Sequence, residues 1–379
     1  MKKQRVLIFI DWFKPGYKAG GPTTSNVNIV DHLSDKFDFY VITSDTDYHA
    51  TEPYPDVDSD KWLDRGNCHI WYFSKTNLSL STMRKAVVKA GCPVWYVNGI
   101  YSRYFSLYPL ILAKQIKPDK LIVSARGMLS PHAISVKPFI KRTYLMGLKF
   151  LGLYDNAIFH GTNEVECSHI RARIFNSSQC VAIENLPRKL FSPFSPSSKV
   201  EKAIRLVSFA RISSEKNTLY AIKTLAGCSG KIEYDLFGQI NSDEYWKECL
   251  LAINSLPANV TVRYKCSINP SMLGEIYKQY DALYLPTTGE NFGHAILESF
   301  MNSRPVIISD RTPWQNLTAK NIGYDIPLDR QEDFAITIDQ LADAPAEKFN
   351  EMCLDSYNFA KHICENHEVI AKYQSMFSI

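Results

Sequence analysis

The chain has 379 residues, more than one ordinary hydrophobic core accommodates and about right for two domains. A hydrophobic content of 45%, with 43 Lys and Arg against 39 Asp and Glu, is that of a globular protein and excludes a disordered or collagen-like chain. Nine scattered cysteines with no C-x-x-C pair argue against a disulfide framework or a zinc site.

The opening MKKQRVLIFIDWF sets basic residues before an apolar run, as a signal peptide does. That run, Val6 to Ile10, ends at Asp11 and no small-residue cleavage site follows, so it reads as a buried first strand. No stretch approaches the roughly 20 apolar residues needed to span a bilayer, and the expected compartment is the cytosol. Next, Gly20 and Gly21 form a turn that lets the backbone approach a neighbour closely, with Pro22 suited to the first helical position. A plain turn explains the pair equally well. After the run FYVIT comes a polar loop holding three D-x-D triplets, Asp45/Asp47, Asp56/Asp58 and Asp58/Asp60, which reads as solvated rather than metal-binding. Cys68 beside His69, in CHIWYF, reads as a buried thiol on a strand.

The apolar runs VWYV, LIVSA, AIFHG and CVAI continue the pattern of short strands between helices. Arg126 ends LIVSA and His132 follows it; each is a candidate for contact with a substrate, and for His132 a hydrogen-bonded structural role is the competing reading. The segment 137–154, KPFIKRTYLMGLKFLGLY, interleaves Lys137, Lys141, Arg142 and Lys149 with aromatic and aliphatic residues. Such a helix either rests on an anionic bilayer or packs one face on the sheet and leaves the other in water. Asn163 is placed to cap a helix starting at Glu164, with Glu166 completing a capping box. Glu164 itself faces either a substrate or solvent.

Residues 188–202, RKLFSPFSPSSKVEK, lose the apolar periodicity and read as a linker. The expected division is a first domain over 1–188, a linker over 189–202, a second domain over 203–360 and a final helical segment over 361–379. Charge divides at the same place: residues 1–190 hold 25 basic and 16 acidic side chains, and residues 191–379 hold 18 and 23. With half the chain acidic and no recognisable binding module, nucleic acid is not an expected partner.

Strands RLVSFA, KIEYDLFG, VTVRY, ALYLP and PVIIS follow in the second half. Continuous apolar strands alternating with helices indicate parallel sheets covered on both faces, hence two doubly wound α/β domains. Ligands of such sheets bind beyond the carboxyl ends of strands, so motifs placed there should face a cleft between the domains. Two stand out. Arg211 and Lys216 follow RLVSFA, with Ser213 or Ser214 available to cap the next helix; Arg offers a fork and Lys a point charge to phosphate oxygens. In ALYLPTTGENFGHAILESF, a strand and a Gly-bearing turn open a helix carrying Glu298, with Glu290 ahead of it. The turn aims backbone N–H groups of Phe292, Gly293 and His294 at whatever lies in front, with Asn291 a further candidate contact beside them. The two carboxylates, Glu290 ahead of the helix and Glu298 in its second turn, roughly 7 Å further along the axis, suit hydroxyls of one extended ligand such as a nucleotide-sugar.

The E-x-F-G turn with a second Glu eight residues later, the pair Arg211 and Lys216, and the Gly20–Gly21 loop together resemble the retaining glycosyltransferases of family 4, of the GT-B fold. The segments 124–134 and 309–317 are similar to a branch that builds cell-surface polysaccharides. The resemblance implies two Rossmann-like domains facing each other across a cleft, with the final helix crossing back to the first domain. It implies a nucleotide-diphospho-sugar donor held by Gly20, Gly21, Arg211, Lys216 and the 290–294 turn. Glu290 would meet the transferred sugar near the reaction centre and Glu298 the ribose hydroxyls, with Glu290, Arg211 and Lys216 as the catalytic set. A glycan acceptor, lipid-linked in that branch, would lie on the side of Arg126, His132 and Glu164, at the inner face of the membrane. No metal or other cofactor is implied, because fixed cations take the charge of the leaving diphosphate. No residue stands out as a covalent nucleophile, and the resemblance implies front-face substitution in which the leaving phosphate helps deprotonate the acceptor. Two departures are visible: Arg126 stands where many relatives have His, and Asp310 to Trp314 stand where a Gly-Gly pair is common. A nucleotide-sugar epimerase or phosphorylase of the same fold, or a non-catalytic sugar-nucleotide-binding protein, are the competing readings.

Overall fold

A computed structural model describes residues 3–135, 137–174, 179–189 and 191–379, the side chain of His132 excepted. The chain divides into two units, residues 1–186 with 367–379, and residues 187–366.

The first unit is built on β1 (Gln4–Phe9), α1 (Gly21–Leu33), β2 (Phe37–Ser44), β3 (Trp62–Asp64), β4 (His69–Phe73), α2 (Leu80–Ala90), β5 (Val94–Asn98), α3 (Tyr108–Ile116), β6 (Lys120–Ser124), α4 (Pro131–Ser135), α5 (Pro138–Phe150), β7 (Ala157–Gly161), α6 (Glu164–Arg173) and β8 (Cys180–Ala182). Its sheet runs β3-β4-β2-β1-β5-β6-β7-β8. Among the described strands only β3 pairs antiparallel, against β4. Helices on both faces bury β5 along its whole length and make β1 apolar from Val6 to Phe9.

The second unit holds β9 (Ala203–Phe209), α7 (Thr218–Leu225), β10 (Lys231–Phe237), α8 (Asp243–Asn254), β11 (Val260–Tyr264), α9 (Leu273–Tyr277), β12 (Ala282–Leu285), α10 (His294–Met301), β13 (Val306–Ser309), β14 (Gly323–Ile326), α11 (Gln331–Asp343) and α12 (Ala346–Glu365). Its sheet is wholly parallel, in the order β11-β10-β9-β12-β13-β14. The last helix, α13 (His367–Phe377), belongs to the first unit, where Phe377 packs edge-on against Phe37, Phe39 and Tyr96.

The expected linker is not a free tether. Residues 191–202 are tied to the second unit: Arg304, fully buried, donates to the Ser195 carbonyl, Ser197 Oγ donates to Asp281, and Lys199 Nζ donates to the carbonyls of Ala342 and Ala344. These side-chain hydrogen bonds, with Phe191 and Phe194 set edge-on against Tyr357, hold a stretch that lacks apolar periodicity. The chain returns to the first unit at His367, six residues later than the expected 361.

Candidate functional site

Each sheet has one point where the strand order reverses, between β9 and β12 in the second unit and between β1 and β5 in the first. Loops leaving adjacent strands diverge there and open a ligand crevice. In the second unit the two loops carry Lys216 and Glu290. Lys216 Nζ lies 2.6 Å from Glu290 Oε1, and both side chains are largely buried. The backbone fixes this meeting. The Glu215 carbonyl accepts from Thr288 N at 3.1 Å and from the hydroxyls of Thr287 and Thr288 at 3.2 and 2.9 Å. Glu290 N donates to the Arg311 carbonyl, and Ser309 Oγ to that of Thr287. Three strand-end loops are thereby locked to one another.

Arg211 lies on the same loop as Lys216, more exposed, and pairs with Glu215 at 3.3 Å. Neither serine caps the following helix. Ser213 Oγ accepts from Lys216 N, and α7 starts at Thr218 behind Asn217, whose left-handed backbone tightens the turn and whose amide donates to the Pro286 carbonyl.

The 290–294 turn leads into α10 through Gly293 at φ 78. A Cβ there would lie 2.9 Å from Ile296 Cδ1 and 3.2 Å from Trp314 Nε1, so glycine is required on both conformational and steric grounds. Trp314 Nε1 donates to the Phe292 carbonyl, and its ring meets Phe292 edge-on. The Asp310–Trp314 segment thus braces the turn with a side chain. The His294 ring lies tilted by 59° against Phe292 at a centroid distance of 4.8 Å, while Asn291 is exposed at the tip.

Glu298 lies in the second turn of α10, as the spacing predicts, but it has a partner that the sequence did not suggest. Arg188 Nε lies 2.6 Å from Glu298 Oε1, and Arg188 Nη1 donates to the Pro270 carbonyl. Burial pushes the Glu298 carboxyl above its ordinary range, and the guanidinium of Arg188 pulls it partly back.

With this geometry in view, known proteins give the frame. Residues 193–356 match the family model described as "Glycosyl transferases group 1". The match lies within the second unit, residues 187–366. Among solved structures, the chain is similar to sucrose-phosphate synthase from Thermosynechococcus elongatus, at 16% identity and a TM-score of 0.71 over 99% of this chain and 98% of that one. It is similar to Anabaena HepE in complex with UDP and glucose, at 16% identity and 0.71 over 98% and 99%. A third likeness is to WaaG, a glycosyltransferase involved in lipopolysaccharide biosynthesis, at 12% identity and 0.66 over 98% and 99%. These likenesses show the GT-B fold. No curated protein matches the chain by sequence.

In the first unit of this GT-B chain, Gly20 sits at φ 76 ahead of α1, which starts at Gly21 with Pro22 second. A Cβ on Gly20 would have no atom within 4 Å. The loop before it is held by Asp47, whose carboxylate accepts from the backbone N–H groups of Tyr17, Lys18 and Tyr48. Asp45 and Asp47 are therefore buried braces and not solvated residues; Asp60 accepts from Ser74 and Asn77, and only Asp56 and Asp58 face solvent. Among the described residues no three His, Cys, Asp or Glu side chains are grouped to hold a metal ion. Across the β1/β5 reversal, Ser102 Oγ donates to Asp11 Oδ1 at 2.6 Å, and burial raises the Asp11 carboxyl against that hydrogen bond. Asp11 was visible in the sequence only as the residue that interrupts an apolar run.

Arg126 adopts φ 51 and is built into a polar network: Nε donates to Asn98 Oδ1, Nη1 to Asn185 Oδ1 and Nη2 to the Tyr96 hydroxyl. With its oxygen accepting from Arg126, Tyr96 O–H donates to His160 Nδ1, which fixes the imidazole proton on Nε2, donating to the Ile183 carbonyl. Burial and the Arg126 charge lower the His160 pKa to about 3, so the ring stays neutral. Asn163 caps α6 by accepting from Glu166 N, but Glu166 does not complete the capping box. Its carboxylate accepts instead from Gly127 N, Thr162 N and Thr162 Oγ1, anchoring the loop after Arg126. Glu164 is exposed, 3.5 Å from Arg171. His132 falls in α4 with its side chain outside the described residues.

Proposed function

We propose that the chain is a retaining glycosyltransferase of family 4, moving a sugar from a nucleotide-diphospho-sugar to a lipid-linked glycan in cell-surface polysaccharide synthesis. The observation that carries this reading is the Lys216–Glu290 pair at the strand-order reversal of the second unit. Lys216 and Arg211 receive the charge that develops on the departing diphosphate, and Glu290 meets the transferred sugar. Backbone N–H groups of Phe292 and Gly293 complete the donor site in this unit. Glu298 Oε1 is held by Arg188, and Oε2 accepts from the ribose hydroxyls. Front-face substitution follows, the leaving phosphate taking the acceptor proton. Arg126, held by Asn98, Asn185 and Tyr96, is the acceptor-side candidate, with His132 and Glu164 as further ones.

UDP-glucose is the first donor to test, because the HepE structures hold UDP, glucose and UDP-glucose. Nucleotide release is measured over a panel of UDP-, GDP- and ADP-sugars, with and without lipid-linked glycans, and the anomeric configuration of the product is read by NMR. Acceptor-dependent release with retention is expected. Turnover without acceptor identifies an epimerase, dependence on free phosphate a phosphorylase, and nucleotide-sugar binding without turnover a non-catalytic protein.

Transfer is expected to survive EDTA, since protein cations stand where a metal would. Loss on chelation, restored by magnesium or manganese, contradicts the assignment. For the ribose contact, Glu298→Gln should weaken nucleotide binding by about 1–3 kcal/mol. Calorimetry with a nucleotide lacking the ribose hydroxyls checks it: the loss should be much smaller for Glu298→Gln than for wild type, and equal losses refute the contact.

A further inference from the structure

Five exposed large apolar side chains, Phe139, Ile140, Met146, Phe150 and Leu151, lie on and just after α5. Single exposed apolar residues are ordinary, whereas a continuous patch marks an interaction surface. At about 100° per residue, Phe139, Met146 and Phe150 fall within about 40° of one another, in a stripe roughly 16 Å long. They are 81%, 61% and 91% exposed. The opposite face is occupied: Leu148 is buried in the core, Tyr144 and Leu145 pack against it, and the Tyr144 hydroxyl donates to the Ile100 carbonyl. The sheet therefore takes one side of α5, and the side left outward is apolar instead of polar. An ordinary amphipathic surface helix keeps that outward face polar.

Charge points to what covers this face. Arg142 and Lys149 are exposed and flank the stripe on one side, and Lys137 is exposed at its start. Lys141 does not belong to the face, since its Nζ donates to the Ala133 carbonyl and lies over the Tyr101 ring. No acidic residue occurs between Asp119 and Asp155. A second copy docked by a two-fold axis would set this patch against itself, cation facing cation. An anionic bilayer pairs with both components, headgroups with the basic flank and acyl chains with the phenylalanines. Among the described residues no helix is long and apolar enough to cross a membrane, so the contact is peripheral.

We propose that α5 is an interfacial anchor that inserts Phe139, Met146 and Phe150 into the surface of an anionic bilayer, with Arg142 and Lys149 at the headgroups. The surface stands apart from the donor chemistry, and the two are tested separately.

Full-length protein is sedimented with phosphatidylcholine vesicles with and without phosphatidylglycerol, at low salt and at about 0.5 M salt, where charge is screened within a few ångströms. Wild type should bind the anionic vesicles. Arg142→Gln/Lys149→Gln should lose about 10-fold or more in affinity at low salt, and Phe139→Ser/Phe150→Ser about 10-fold or more at both salt concentrations. Both pairs point outward, so UDP binding and thermal unfolding should match wild type, while Lys216→Ala should bind vesicles normally. Wild type that ignores anionic vesicles at low salt overturns the proposal, as does a phenylalanine pair that binds like wild type. A dimer by light scattering that Phe139→Ser/Phe150→Ser disperses assigns the face to a second copy instead.

Discussion

Lys216→Ala is expected to lower kcat by about 10² or more, the usual loss when one charged partner of a transition state is removed. The diphosphate gains charge as the glycosidic bond breaks, so the ammonium is worth more there than in the ground-state complex, and KM should change less than kcat. The structure adds a second consequence. Lys216 is bound at 2.6 Å to Glu290, whose side chain is mostly buried, and the substitution strands a carboxylate next to the diphosphate. Part of the loss is then repulsion, which a second substitution can remove. Lys216→Ala/Glu290→Gln should therefore be less impaired in nucleotide binding than Lys216→Ala, while its kcat stays at the low level of either single variant, because residues acting as a unit are not additive. Steady-state kinetics and calorimetry on the four proteins check this. Additive losses in kcat would mean that the two side chains act independently, and that the pair is a structural contact only.

How far the sequence reached depended on the kind of signal. Twelve apolar runs picked out strands in the right order, because parallel strands covered on both faces must be continuously hydrophobic. Two strands escaped. β3 has three residues on a sheet edge, and β14, GYDI, mixes Gly and Asp with its apolar residues; neither leaves a pattern for periodicity to find. At the site, residues within one loop or turn were legible, since a Gly before a helix or a cation after a strand has local meaning. The partners were not. Arg188 reaches Glu298 across 110 residues and Glu215 holds Thr288 by its carbonyl, which carries no side-chain signature at all. The D-x-D loop failed for a related reason: Asp47 folds back on the N–H groups of Tyr17 and Lys18, and spacing alone cannot distinguish a carboxylate that holds backbone from one left in water. On α5 the pattern gave the amphipathic helix but not which apolar residues the core would leave uncovered.

The pair that sequence missed gives the clearest pH test. Arg188→Met keeps most of the side-chain volume but removes the group that lowers the Glu298 pKa, leaving burial, which raises it, unopposed. A carboxyl whose folded pKa lies above its unfolded value binds its proton more tightly when folded, so the fold is favoured at low pH and loses that advantage as pH rises through the folded pKa. The variant should thus unfold at lower denaturant than wild type at pH 8, by about 2–3 kcal/mol. That is somewhat below the roughly 3–5 kcal/mol of a fully buried pair, because Arg188 is about a quarter exposed, at 26%. At a pH low enough to protonate Glu298 in both proteins, most of the difference should disappear. Urea denaturation at the two pH values measures it, and Glu298→Gln in the Arg188→Met background should restore stability at pH 8 by removing the stranded charge. A deficit of equal size at both pH values, unrelieved by Glu298→Gln, would show that Arg188 serves through its hydrogen bond to the Pro270 carbonyl and its packing, and not through its charge on Glu298.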